Sequence, residues 1–142
     1  MRAMAEASYW GSLAEARGRF FAVLHTTPRT QVGTMTVAPG EEAGPPEVHA
    51  GEDQVFLFLE GEAEVKVWER GPGEAPRHER ARPGSVVVVP AGVRHWVKSV
   101  GAEPLFFFTV YGPPAYGAGA DPGLGADSLL SRRPASAPGG LA

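Results

Sequence analysis

The chain has no cysteine, which excludes disulfides, thiolate metal sites and cysteine nucleophiles together. It has no apolar run approaching the roughly 20 residues that a membrane-crossing helix needs. It has no basic block longer than the pair Arg132-Arg133, and 13 Lys and Arg against 16 Asp and Glu leave a net charge of −3. That balance argues against a nucleic-acid partner. Residues 1–18 scatter their charges and lack an apolar core, so they do not read as a secretory signal. The absences together predict a cytoplasmic protein, and 142 residues suit one domain with one core.

Glycine and proline, by contrast, are abundant. Nineteen and fourteen of them in 142 residues are about twice the usual combined share of roughly 12%. Part of the excess lies in residues 112–142, which have few large apolar side chains and the composition of a loose tail. In the rest of the chain these residues are spaced out, as turns between many short strands are. Strand-like runs fall at 20–25, 31–37, 54–59, 62–67, 85–89, 95–100 and 105–111. Ala63, Val65 and Val67 alternate with Glu62, Glu64 and Lys66, as in a strand with one wet face. Residues 54–59 are apolar on both faces, as in a strand covered on two sides. Residues 70–83 read as a charged Gly/Pro loop, and only residues 3–19 offer a helix. The pattern predicts an all-β sandwich or barrel of about seven strands. Its parts are an N-terminal segment with a short helix (1–19), a barrel domain (20–114) and a Gly/Pro/Ala-rich tail (115–142).

Histidine occurs four times, as His25, His49, His78 and His95. His78 lies among Arg77, Glu79 and Arg80 and reads as solvated, and His25 ends a strand and reads as a surface histidine. His49 stands in residues 41–64, which carry eight acids and no Lys or Arg. Glu47 and His49 are two apart, so on a strand they would share a face. A carboxylate oxygen and an imidazole nitrogen side by side suit a divalent ion such as Zn, Mn, Fe or Ni. A solvated ion pair is the plainer alternative for such a dyad.

In residues 84–99, Gly84, Pro90, Gly92 and His95 form Gly-x5-Pro-x-Gly-x2-His, with Ser99 four residues further on. This run resembles the second motif of the cupin superfamily, in which an Asn stands at the Ser99 position. Reading back from Gly61, the first cupin motif places Gln54, His49 and Glu47 at its Glu, second His and first His positions. The stretch Glu47-Val48-His49 with Asp53-Gln54 is similar to a bacterial branch of small single-domain cupins. The likeness extends to residues 109–114 and covers 20–114. Relatives often bear a histidine soon after the Pro-Pro pair, where this chain has Tyr116.

The resemblance implies a jelly-roll barrel with a divalent metal near one end of its interior, held by Glu47, His49, Gln54 and His95. It implies a small-molecule ligand above the metal, with an anion favoured by a net-cationic site. Phe56 and Phe58 share the face of Gln54 and would line the interior, and Ser99 shares the face of His95 and would orient a ligand. Val55, Leu57 and Leu59 then face outward and need a cover, for which a homodimer is the natural source. A metal-dependent oxygenase or an enolate-type isomerase or lyase fits this picture. So do a non-catalytic ligand sensor and a sugar-phosphate isomerase, whose phosphate would need Arg94 and Lys98. A barrel without metal, with His49 and His95 as polar pocket groups, is the remaining alternative.

Overall fold

The computed structural model describes residues 7–117. Eight strands follow one another: β1 (Phe21–Thr26), β2 (Gln31–Val37), β3 (Asp53–Glu60), β4 (Ala63–Val67), β5 (Arg77–Ala81), β6 (Val86–Val89), β7 (His95–Ser99) and β8 (Leu105–Gly112). They form a five-stranded sheet, β1-β2-β8-β3-β6, and a three-stranded sheet, β5-β4-β7. All neighbours are antiparallel. The expected all-β architecture is therefore present, as two packed sheets.

Alternation decides which side chains enter the sandwich. Gln54, Phe56 and Phe58 of β3 are buried, while Val55, Leu57 and Leu59 between them are half-buried. Ala63, Val65 and Val67 point inward from the opposing sheet. Phe58 and Phe107 are fully enclosed at the centre, with ring centroids 5.4 Å apart. On the outer face Val55 pairs with Val88 and Leu57 with Val86. Val86 and Val88 are 62% and 59% exposed, which makes this outer stripe apolar.

Three features differ from the sequence expectation. The N-terminal helix is a single 3-10 turn, Leu13–Glu15, in the described part of that segment; residues 3–6 of the expected helix lie outside the described residues. An isolated helix of so few residues is marginal in water. Tertiary contacts hold the segment instead: Arg17 donates to both carboxylate oxygens of Glu60, at 3.2 and 2.6 Å, and covers the Phe106 ring. The loop expected at 70–83 contains β5, whose five residues pair fully with β4. Only Ala81 of β5 is buried, so no apolar alternation announced it; a charged sheet edge is how proteins discourage further strand pairing. Finally, Ala115 and Tyr116 at the start of the expected tail are 5% and 6% exposed and belong to the core. Most of that tail lies outside the described residues.

The segment between β2 and β3 runs beside β7 without forming a regular strand. Isolated bridges join Glu42 to Lys98 and Glu47 to His95. This irregular segment brings residues from the acid-rich stretch to the open end of the sandwich.

Candidate metal centre

His95 opens β7 directly after the turn at Pro90–Gly92. Gly92 has φ +84°, a conformation that glycine adopts without strain. The Ala91 N–H donates to the Asp53 carboxylate at 2.9 Å, and the Gly92 N–H donates to the His49 carbonyl at 2.8 Å. One turn therefore orients His95 and ties down the backbone of His49. Glu47 is fixed from the other side: its N–H and carbonyl exchange bonds of 2.9 Å with those of His95. Glu47 and His49 are not on a regular strand, as the sequence suggested, yet backbone pairing with β7 delivers both to the same place.

Ligand atoms of Glu47, His49 and His95 lie within 4.8 Å of one another, and all three residues are buried. His49 Nε2 is 3.5 Å from Glu47 Oε1 and makes no hydrogen bond. The two imidazole rings are 5.4 Å apart at 30°. His95 Nδ1 lies 3.1 Å from the Val93 carbonyl. A carbonyl only accepts, so the proton of neutral His95 sits on Nδ1 and Nε2 keeps its lone pair. Burial lowers the pKa of His95 to about 4, against a smaller raising effect of the Val93 bond, and His49 lowers it further. Burial also lowers that of His49, opposed by Glu52, whose carboxylate lies 3.9 Å from Nδ1. At neutral pH both rings are uncharged, the form that binds metal. One carboxylate and two neutral imidazoles within this span fit a divalent ion at typical bond lengths of roughly 2.0–2.2 Å.

Gln54 approaches from β3. Its Nε2 donates to Thr109 Oγ1 at 2.9 Å and to the Tyr111 hydroxyl at 3.2 Å. Its buried Oε1 makes no hydrogen bond, so the acceptor end is the one left for a ligand or ion. Phe56 lies beside His95, edge to face at 5.9 Å.

A small cavity of about 30 Å³ adjoins these groups, with Glu47, Gln54, Phe56, His95, Tyr111 and Tyr116 among its lining residues. The other expected ligand-contacting residues are elsewhere. Phe58 is fully buried behind Phe56, their rings parallel at 5.9 Å, and does not line the cavity. Ser99 is fully buried at the far end of β7, four residues or roughly 13 Å from His95. Arg94 stacks on Trp68, 5.0 Å from its ring centre, and neither it nor Lys98 lines the cavity.

Tyr111, which the sequence did not single out, and Tyr116, which stands where relatives often bear a histidine, line the cavity, and Gln31 holds Tyr116 in place. Tyr111 and Tyr116 meet edge to face at 5.5 Å, and the Tyr111 ring is 5.3 Å from that of His49. Gln31, fully buried on β2, accepts from the N–H groups of Ala115 and Tyr116 at 3.1 and 3.0 Å and donates to the Tyr116 carbonyl at 3.1 Å. Alternation along β8 offered one signal, since Phe107, Thr109 and Tyr111 share an inward face.

Comparison with known proteins matches residues 33–111 to the Cupin domain family. The Bacillus subtilis protein YrkC is 32% identical over 99 residues, 67% of this chain and 50% of its own. The chain thus spans about half the length of that curated relative. Among solved structures, BH2720 of Bacillus halodurans is similar with a TM-score of 0.67 and 28% identity, over 72% of this chain and 76% of that one. TT1209 of Thermus thermophilus gives a TM-score of 0.62 and 25% identity, over 73% and 96%. The sheet order, the His95 turn and the family match lead to one conclusion: this chain belongs to the cupin family.

Proposed function

We propose that this cupin domain binds one divalent ion through Glu47, His49 and His95, with Gln54 as a neutral fourth donor, and that it acts on or binds a small oxygen-bearing molecule there. The observation that carries this reading is the convergence of three buried donor side chains, of which Glu47 and His95 line a cavity walled by aromatic rings. Iron, manganese, zinc and nickel all suit that donor set. A bound ion would supply Lewis acidity toward a substrate oxygen.

The protein's own contribution is to hold donors and exclude water. The Val93 carbonyl fixes the His95 tautomer. Phe56, Tyr111 and Tyr116 form apolar walls around the polar end. One carboxylate against a divalent ion leaves the centre net positive, which favours a carboxylate or enolate. The cavity admits only a compact molecule unless its walls move. No Lys or Arg lines it, so the sugar-phosphate reading has no clamp for its phosphate.

The titratable groups lining the cavity are Glu47, His95, Tyr111 and Tyr116. Burial raises the pKa values of both phenols, so neither serves as a base. With the other two groups assigned to the ion, oxygenase chemistry fits better than an isomerase or lyase that needs a separate base. The same absence supports the second reading, a ligand sensor that consumes nothing. The exposed valines of β6 support the homodimer, with this outer sheet face as its contact; sedimentation of Val86→Glu/Val88→Glu as a monomer would bear that out. The cysteine-free chain suits the reducing cytoplasm.

The test is elemental analysis of the purified protein beside His95→Ala and Glu47→Ala. About one ion per chain in the wild type and a loss in both variants supports the reading. Equal metal content in all three sinks it. Oxygen uptake by the Fe(II)-loaded protein across β-diketones, catechols and α-keto acids, followed by product analysis, then separates enzyme from sensor.

A further inference from the structure

The cavity beside the metal centre is polar along one row of side chains and apolar along another. Cross-strand register places Gln31, Tyr111 and Gln54 side by side on β2, β8 and β3. Four residues back along β8, the same inward face carries the row Phe21, Met35 and Phe107 on β1, β2 and β8. Phe56 of β3 lies between the two rows, opposite Thr109 and edge to face with His95. Gln54, Tyr111, Phe56, Phe21, Met35 and Phe107 all border the one cavity. A molecule reaching from the ion along β3 therefore leaves the polar groups behind and meets ring and thioether surface.

Among the described residues, the polar end has no side-chain hydrogen-bond donor to spare. The lining offers N–H or O–H groups from Gln54, His95, Trp96, Tyr111 and Tyr116. The Gln54 amide donates to Thr109 and Tyr111, at 2.9 and 3.2 Å. The His95 Nδ1 proton meets the Val93 carbonyl, and the Trp96 indole donates to Glu42 at 2.9 Å. The Tyr111 hydroxyl is bonded to Tyr116 and to Thr109 as well as to Gln54. With Tyr116 donating to Tyr111 and Tyr111 to Thr109, both phenolic protons are used. What stays unmatched is an acceptor, the buried Gln54 Oε1. Lys66, whose Nζ lies 4.9 Å from the centre of the Trp96 ring, does not border the cavity. The charged oxygens of a ligand are therefore met by the ion alone. Any further anionic oxygen would be enclosed without a partner, and burying an unpaired charge costs more than burying an unpaired neutral group.

We infer that the centre selects a short-chain monocarboxylate, with its carboxylate on the ion and its body against Phe56 and the Phe21–Met35–Phe107 row, and that it rejects dicarboxylates. The inference rests on the metal-binding reading above and narrows its ligand from oxygen anions in general to those whose charge sits at one end. A cavity of about 30 Å³ confines the body to a few carbons. The rejection comes from what the cavity withholds, since a second carboxylate finds no donor there.

The experiment uses the cobalt(II)-loaded protein at neutral pH, with acetate, propionate, isovalerate and malonate titrated separately and binding read from the visible absorption. Propionate should bind about fourfold more tightly than acetate, the gain for one buried methylene. Isovalerate and malonate have nearly the same shape, one with an isopropyl group where the other has a second carboxylate. Malonate can offer the ion both carboxylates, so a preference for isovalerate comes from the walls and not from the ion. Isovalerate should bind about tenfold or more tightly than malonate. Malonate binding as tightly as isovalerate or more so, at full cobalt content, overturns the inference and leaves the metal reading standing. Propionate binding no more tightly than acetate also overturns it, because the body of the ligand then gains nothing from the apolar row. A protein that takes up no ion, seen in the cobalt content itself, defeats both.

Discussion

Gln31 and Tyr116 are 85 positions apart and joined twice: Gln31 Oε1 accepts the Tyr116 N–H at 3.0 Å, and Gln31 Nε2 donates to the Tyr116 carbonyl at 3.1 Å. The same Oε1 takes the Ala115 N–H, and the same Nε2 reaches Thr26 Oγ1 at 3.0 Å. One buried amide thus saturates a chain segment that has no strand partner there. Gln31→Ala leaves two buried N–H groups without an acceptor, each costing about 1–3 kcal/mol. The expected loss is about 3 kcal/mol, measured by urea unfolding. A change below about 0.5 kcal/mol would show that the clasp contributes nothing.

The clasp also sets where the chain can be cut. Residues 118–142 have few apolar side chains to bury, so a chain ending at Gly117 should melt cooperatively near the full-length temperature. A chain ending at Pro114 loses Tyr116 and should melt several degrees lower. Calorimetry of the three forms decides it; equal melting of both truncations would mean that Tyr116 packs without stabilising.

Removing the ion should destabilise the fold, because only the folded chain brings Glu47, His49 and His95 together. With free ion at about a thousand times its dissociation constant the stabilisation is about 4 kcal/mol. Chelation should lower the melting temperature of the wild type and leave that of His95→Ala unchanged. Identical shifts in the two proteins would place the ion elsewhere.

In the ion-free protein, acid should act through the two buried histidines. Burial holds the pKa of His95 at about 4, against 6.5 for a free imidazole, and lowers that of His49 as well. Between those values the unfolded chain takes up a proton that the folded chain refuses. Stability is therefore full above about pH 6.5 and falls as the pH drops toward 4, by about 3 kcal/mol for His95 alone. Melting curves from about pH 7.5 to about 4.5 should show this fall, and His95→Asn should flatten it. A slope equal to that of the wild type in His95→Asn would assign the acid sensitivity to the surface carboxylates.

The strand at 62–67 was legible because alternation at period two survives wherever one face is buried, and that at 54–59 because its short apolar run is bounded by turn residues. The turn before His95 was legible because Gly84, Pro90 and Gly92 each answer a backbone requirement at fixed spacing. β5 was not, since an edge strand held by pairing alone, with charges such as Arg80 set against Glu62 at 3.0 Å, carries no apolar period. Phe58 and Ser99 shared the predicted faces, but alternation gives the face of a strand and not the depth along it. Phe58 therefore lies behind Phe56, and Ser99 at the wrong end of β7.

The sequence by itself determined the sheet faces and the tight turns, because those depend on residues within a few positions of one another, and its resemblance to the cupin motifs named Glu47, His49, Gln54 and His95 as metal-ligand candidates. The tertiary structure alone decided that Glu47 meets His95 from an irregular segment, and that Tyr111 and Tyr116, the latter held by Gln31, line the cavity beside them. Those contacts join segments tens of residues apart. They form only when burial leaves a backbone or side-chain polar group no water to bond and a partner must be found across the fold.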